Sequence, residues 1–332
     1  MNNAIGSLGN FAYLRGDFAL ASACLEESLE LSRSTGSYER YAGALLVLGR
    51  LAAEQSDFRR AAILAEQALA HFQALGSRSR ADQTLTFLSY IAWACGNYDE
   101  AEAQLQRSLA LASELPFKEL LPWARNWLGW IACARGEYDQ ALAWFAANLA
   151  LARTDDITIL IAWSLNGLGY LAGAQGEPDR AQALLTESLT RLDEVGWIIN
   201  RAFMLTNLAR AVQAQGDLAR AAALWRESLV LSRGLGDRWK IAIACEGLAS
   251  LAASQRQPVR AAQLYGAAEA LREAIGTPIW PSLRADYNRS VAATRAQLGA
   301  VAFDSAWAAG QAMTLEQAIS YALGEDVGLI RT

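Results

Sequence analysis

At 332 residues, 53% of them hydrophobic, the chain can bury a large core, either as two ordinary domains or as one elongated array. A net charge of −5, with Lys118 and Lys240 as the only lysines and the arginines scattered among acids, argues against wrapping a nucleic-acid backbone. Cys24, Cys95, Cys133 and Cys245 lie far apart without a CxxC pair, so neither a disulfide framework nor a zinc site is indicated and reduced thiols are expected.

The opening run MNNAIGSLGNFAYLRGDF has no basic segment followed by an apolar one, so no secretory signal is expected and the chain is read as cytoplasmic. From there the sequence repeats itself about every forty residues. LGRLAAEQSDFRRA at 48, LGWIACARGEYDQA at 128, LGYLAGAQGEPDRA at 168 and LARAVQAQGDLARA at 208 each read as the end of one helix, a turn and the start of another. Leu8, Leu48, Leu88, Leu128, Leu168, Leu208 and Leu248 form one column, and a small residue follows each. Glycine is costly inside a helix, so Gly9, Gly49, Gly129 and Gly169 in that position signal close helix–helix approach.

The turn column reads Gly16, Ser56, Gly96, Gly136, Gly176, Gly216 and Arg256, and an acid or amide follows each. Glycine supplies the left-handed residue just past a helix end, and the following Asp or Asn can cap the next helix. Pro178 and Pro258 fall where a first-turn proline is tolerated. Each second helix then opens on alanine, from Ala21 to Ala261, and keeps an apolar face at helical spacing. Ile157 to Gln175 carries no formal charge, yet its polar residues and its register make it a buried helix of the array rather than a membrane span.

Seven helical hairpins are therefore expected over residues 1–276, forming an all-α solenoid in which each hairpin buries its apolar stripe against its neighbours. After Gly276 the period fails, and Pro278, Pro281 and Gly299 punctuate three further helices, a C-terminal capping segment over 277–332.

Leu128, Gly129, Ala132, Ala141, Phe145 and Asn148 meet the spacing of the tetratricopeptide repeat, which this array resembles. The forty-residue length looks like the longer repeats of bacterial regulators of the maltose-activator and LuxR type. The closing run from Ala261 to Leu323 is similar to the C-terminal ends of such ATP-binding transcriptional regulators. The resemblance implies a sensor or interaction module. The nucleotide-binding and helix-turn-helix modules of that family are not visible here, and no GxxxxGK[ST] occurs, so no nucleotide hydrolysis is expected.

Catalytic chemistry finds little support. His71 is the only histidine and occupies a leucine column, so it reads as a partly buried helix residue. The cysteines read as small core fillers, and Glu26, Glu27, Asp155 and Asp156 as solvated acids. GLGYLAG at 167 lies inside a helix and not after a strand, which disfavours a dinucleotide-binding turn. No enzyme, cofactor or metal is expected.

The eleven tryptophans leave two readings open, core filling in an alanine-rich array or a binding groove. In tetratricopeptide-like arrays the first helix of each pair lines the concave face. Positions spaced by four and three then bring together Thr86, Tyr90 and Trp93; Asn126, Trp130 and Cys133; and Asn166, Tyr170 and Gly173. Arg50 and Arg210 flank them. Amides would pair with a peptide backbone, rings with its side chains and arginines with its carboxylates. The candidate ligand-binding residues are thus Arg50, Tyr90, Trp93, Asn126, Trp130, Asn166, Tyr170 and Arg210. A protein, peptide or small effector would bind there, without direct nucleic-acid or membrane contact. The alternative is a structural scaffold, without a specific groove ligand, that oligomerises through its convex face or its ends, and an N-terminal helix without a preceding hairpin is expected to self-associate or fray.

Overall fold

The computed structural model describes residues 2–113 and 121–325, and Lys118 lies outside them. Among the described residues the only regular elements are helices. They come in hairpins: α1 (Asn2–Leu14) with α2 (Phe18–Ser34), α3 (Tyr38–Glu54) with α4 (Phe58–Ala74), and α5 (Arg78–Ala94) with α6 (Tyr98–Ser113). Then follow α7 (Leu121–Arg135) with α8 (Tyr138–Thr154), α9 (Thr158–Ala174) with α10 (Pro178–Val195), α11 (Arg201–Ala214) with α12 (Leu218–Leu235), and α13 (Arg238–Ser254) with α14 (Pro258–Ile275). Three helices, α15 (Pro281–Leu298), α16 (Ala300–Gln311) and α17 (Leu315–Leu323), complete the chain. None of the described helices is long and apolar enough to cross a membrane.

The turn chemistry follows from the columns. Gly16, Gly96, Gly136, Gly176 and Gly216 all take positive φ, and so do Ser56 and Arg256, which hold the same position without glycine's freedom. Asp17, Asp57 and Asp217 then accept hydrogen bonds from the backbone N–H groups of Leu20, Arg60 and Arg220, capping α2, α4 and α12. Pro258 opens α14 in its first turn, where its missing N–H costs nothing.

The helices group into two compact units, one of Met1–Gly167 with Thr190–Ile199 and the other of Leu168–Leu189 with Asn200–Thr332. In the first unit the small-residue columns explain the packing of α7, α8 and α9. A Cβ on Gly129 or Gly167 would lie 2.6 or 2.5 Å from the Phe145 ring, so glycine at both positions lets that ring wedge between α7 and α9. In the second unit α16 packs closely on α14, and α17 meets α12, α13 and α14. The three helices after Gly276 therefore belong to the same compact unit as α11–α14.

A buried polar ladder runs through the hairpins. Thr86 of α5 faces Ser108 of α6, their hydroxyls 3.2 Å apart. Ser108 also donates to the buried Asp82 carboxylate. Burial raises the pKa of Asp82 above the usual carboxylate range, and the Ser108 hydrogen bond opposes that shift. One repeat later Asn148 donates to the Pro122 carbonyl at 2.7 Å, and in the second unit Ser228 donates to that of Ala202 at 2.9 Å. A buried ion pair joins Asp237, which also caps α13, to Lys240.

Candidate functional site

In the first unit the first helices of successive hairpins carry a continuous run of rings. Phe87 stacks near Tyr90 at 6.2 Å between centroids, Tyr90 meets Trp127 at 5.0 Å, and Trp127 meets Trp163 at 5.8 Å. Arg50 from α3 lies over the Phe87 ring, 5.9 Å from its centroid. Three members of the run, Arg50, Tyr90 and Trp127, are half-buried and so present a ring-lined surface with a cation at one side. Burial lowers the pKa of Arg50, and the nearby Tyr13 and Glu54 oppose that shift. Nearby, Tyr13 donates to Glu54 at 3.5 Å, and burial first, then that carboxylate, push the phenol's pKa well up.

The remaining first-unit candidates lie beneath this surface. Trp93 donates its indole N–H to the Trp130 carbonyl at 3.2 Å, and Trp130 packs edge-on against Phe145 at 5.4 Å. Trp130, Asn126 and Asn166 are all 0% exposed. A side chain with no accessible surface makes no contact with an incoming chain, so these three support the surface from below. The reason is their position: Asn126 and Asn166 share the column of Thr86, which faces Ser108 of the second helix in its own hairpin, and the Trp130 ring meets Phe145. Asn126 has no hydrogen-bond partner for either amide atom among the described residues.

In the second unit Tyr170 is buried, with Trp280 edge-on at 5.7 Å. Arg210 is half-buried over the Trp225 ring, 5.9 Å from its centroid, and its pKa is lowered by burial. Sequence reasoning passed over Trp127 as a surface residue. The signal was present, since Trp127 stands three positions before Trp130 as Phe87 stands three before Tyr90.

The other titratable candidates are placed as structural groups. His71 ends α4 against the rings of Tyr38 and Tyr41, at 6.2 and 5.2 Å. Cys133 and Cys245 are buried; burial pushes the Cys245 thiol up to about 12 and that of Cys133 higher. Glu26, Glu27, Asp155 and Asp156 are exposed. Among the described residues no group of His, Cys, Asp and Glu side chains could hold a metal ion.

Comparison with known proteins places this geometry. Tetratricopeptide-repeat family models match residues 1–74, 80–154 and 120–194, and a further one matches 204–235. No curated protein matches in sequence. Among solved structures, a Rap protein complexed with Competence and Sporulation Factor is similar, with a TM-score of 0.55 at 10% identity over 90% of this chain and 99% of that one. BtubC from P. vanneervenii aligns with a TM-score of 0.46 at 17% identity, covering 68% and 92% of the two chains. The TPR2AB domain of yeast Sti1 in its pHSP90 complex gives 0.30 at 14%, covering 89% and 98%. The repeat matches span more than half the sequence, and the all-helical hairpins agree with them: the chain belongs to the tetratricopeptide repeat family.

Proposed function

We propose that this repeat module binds an extended peptide segment of a partner protein across Arg50, Tyr90 and Trp127. The observation that carries the reading is the contiguity of half-buried rings, because aromatic surface left partly open beside a desolvated cation suits an apolar side chain with a neighbouring carboxylate. The Rap neighbour was solved with Competence and Sporulation Factor, which supports a ligand on this kind of fold. The test is selection from a displayed random-peptide library on the immobilised protein. Enriched peptides should carry an aromatic or large apolar residue near an acid, and enrichment should fail on a Tyr90→Ala, Trp127→Ala double variant that still folds. Equal enrichment on both proteins would remove the reading.

The finer assignment, the sensor part of a bacterial transcriptional regulator acting on a peptide or small effector, rests only on the resemblance of the run from Ala261 to Leu323 to the ends of such proteins. Sequencing the gene's surroundings tests it: a nucleotide-binding module and a helix-turn-helix encoded with this chain are expected, and the absence of both would count against it.

A second reading, association through the N-terminal end, has its own observation. Leu8 and Phe11 of α1 are 48% and 57% exposed, whereas Leu48 and Leu51, one repeat later, are each 4% exposed under the preceding hairpin. In this reading α1 covers that face by self-association.

A further inference from the structure

The second unit carries its own extended peptide. Between α14 and α15 run Thr277 to Trp280, which together with Pro281, the first residue of α15, make a strap of sequence TPIWP. It leaves Gly276 in a left-handed turn, with the Thr277 N–H bonded to the Arg272 carbonyl at 3.1 Å, and Pro281 starts α15. Trp280 then reaches back to Tyr170 of α9, more than a hundred residues earlier in the chain, and both rings are buried there. Tyr170 belongs to the same repeat column as Arg210, and the two lie within electrostatic reach of each other.

The strap is read on its backbone as well as on its ring. Arg272 is clamped by both oxygens of Glu246 and directs Nη1 at the carbonyls of Thr277 and Pro278, at 3.3 and 3.5 Å. Arg284 of α15 donates to the Ile279 carbonyl at 3.1 Å. Downstream, Tyr287 of α15 meets Tyr265 of α14 edge-on at 5.4 Å, which holds the strap's far end. Two prolines flank the ring, so the segment is confined to extended backbone before it docks and loses little entropy on binding. A guanidinium on the backbone carbonyls and a ring on an aromatic side chain are the contacts a peptide arriving from outside would need.

We propose that residues 277–281 are a tethered ligand occupying a peptide site on the second unit, formed by Tyr170, Arg210 and the Glu246–Arg272 pair. The site's ligand class is an extended, proline-flanked aromatic peptide. The strap keeps the site closed until such a peptide outcompetes it. A tether of a few residues gives an effective concentration in the millimolar range, so an external peptide of equal intrinsic affinity competes only weakly with the intact chain. The inference shares with the functional reading only the premise that these helix faces take extended chain, and it concerns different residues.

The experiment uses the full chain and a fluorescein-labelled synthetic peptide of residues 276–285, GTPIWPSLRA, with anisotropy as the readout. Trp280→Ala, which removes the tethered anchor, should bind the peptide at least tenfold more tightly than the wild type. A peptide with Ala in place of Trp should not bind. Adding Tyr170→Ala to Trp280→Ala should abolish the gain. Trp280→Leu keeps an apolar side chain in place and guards against local unfolding; it should show the same gain in direction. Equal binding of the peptide to wild type and variants overturns the proposal. So does failure of the Trp280→Leu chain to bind it while unfolding cooperatively at the wild-type temperature. Neither result bears on Tyr90 or Trp127, whose variants test the functional reading separately.

Discussion

Two buried charges behave oppositely because one has a counter-ion and the other does not. Asp237 pairs with Lys240 out of contact with water and also caps α13, so Asp237→Ala leaves an uncompensated ammonium inside and should cost about 3–5 kcal/mol, read by chemical denaturation. Asp82 is held by a serine hydroxyl and by no cation that the structure places beside it, and its folded-state pKa is raised by burial. As pH rises past the ordinary Asp value near 3.9, the unfolded chain gives up its proton first while the folded chain retains it. Stability therefore falls with rising pH from there up to the raised folded value, and is flat above it. Asp82→Asn should remove that fall and make the protein more stable at pH 7, measured as melting temperature across the acid range. A variant that melts lower at pH 7 and keeps the slope would contradict the assignment. Neither charge could be read from the sequence: Asp82 stands in a column of Asn2, Ala42, Pro122, Ala162, Ala202 and Ala242, and a polar residue in such a column is as readily exposed as buried.

At the scale of helices and turns, the columns carried most of the fold. A leucine followed by a small residue marks where one helix crosses another, and glycine followed by an acid marks the turn, so the hairpins, their caps and the three helices after Gly276 were legible. Which way a ring points was not. Tyr90, Trp130 and Tyr170 share a column, yet Tyr90 is half-open, Trp130 is turned onto Phe145 through the gap left by Gly129, and Tyr170 lies under Trp280. The partner that decides each case comes from a different helix, and for Tyr170 from a strap outside the repeat. The α1 face gives a prediction at this scale. Wild-type protein should show concentration-dependent mass in sedimentation, and Phe11→Glu should shift it towards monomer without lowering the melting temperature of the remaining hairpins. Monomer at all concentrations for the wild type would count against self-association through α1.

Across the whole molecule the rings differ in how far they are open to solvent. Cys133 and Cys245 are buried and Cys95 is half-buried, all three with raised pKa values, the single histidine is packed against tyrosines, and the aromatic residues divide into buried and partly open rings. Stability and binding measurements separate the two groups of rings. Trp130 is wholly buried, so Trp130→Ala should cost about 3–5 kcal/mol of stability. Trp127 is only half-buried, so Trp127→Ala should cost much less. It should instead weaken a library-selected peptide by at least about 1–2 kcal/mol, roughly tenfold in Kd, as expected for an aromatic anchor. The most direct measurement is thermal unfolding paired with calorimetric titration of that peptide on these two variants. Trp130→Ala should lose stability while its folded fraction still binds, and Trp127→Ala should keep its stability and lose binding. Unchanged peptide affinity in a folded Trp127→Ala chain would contradict this division of the rings.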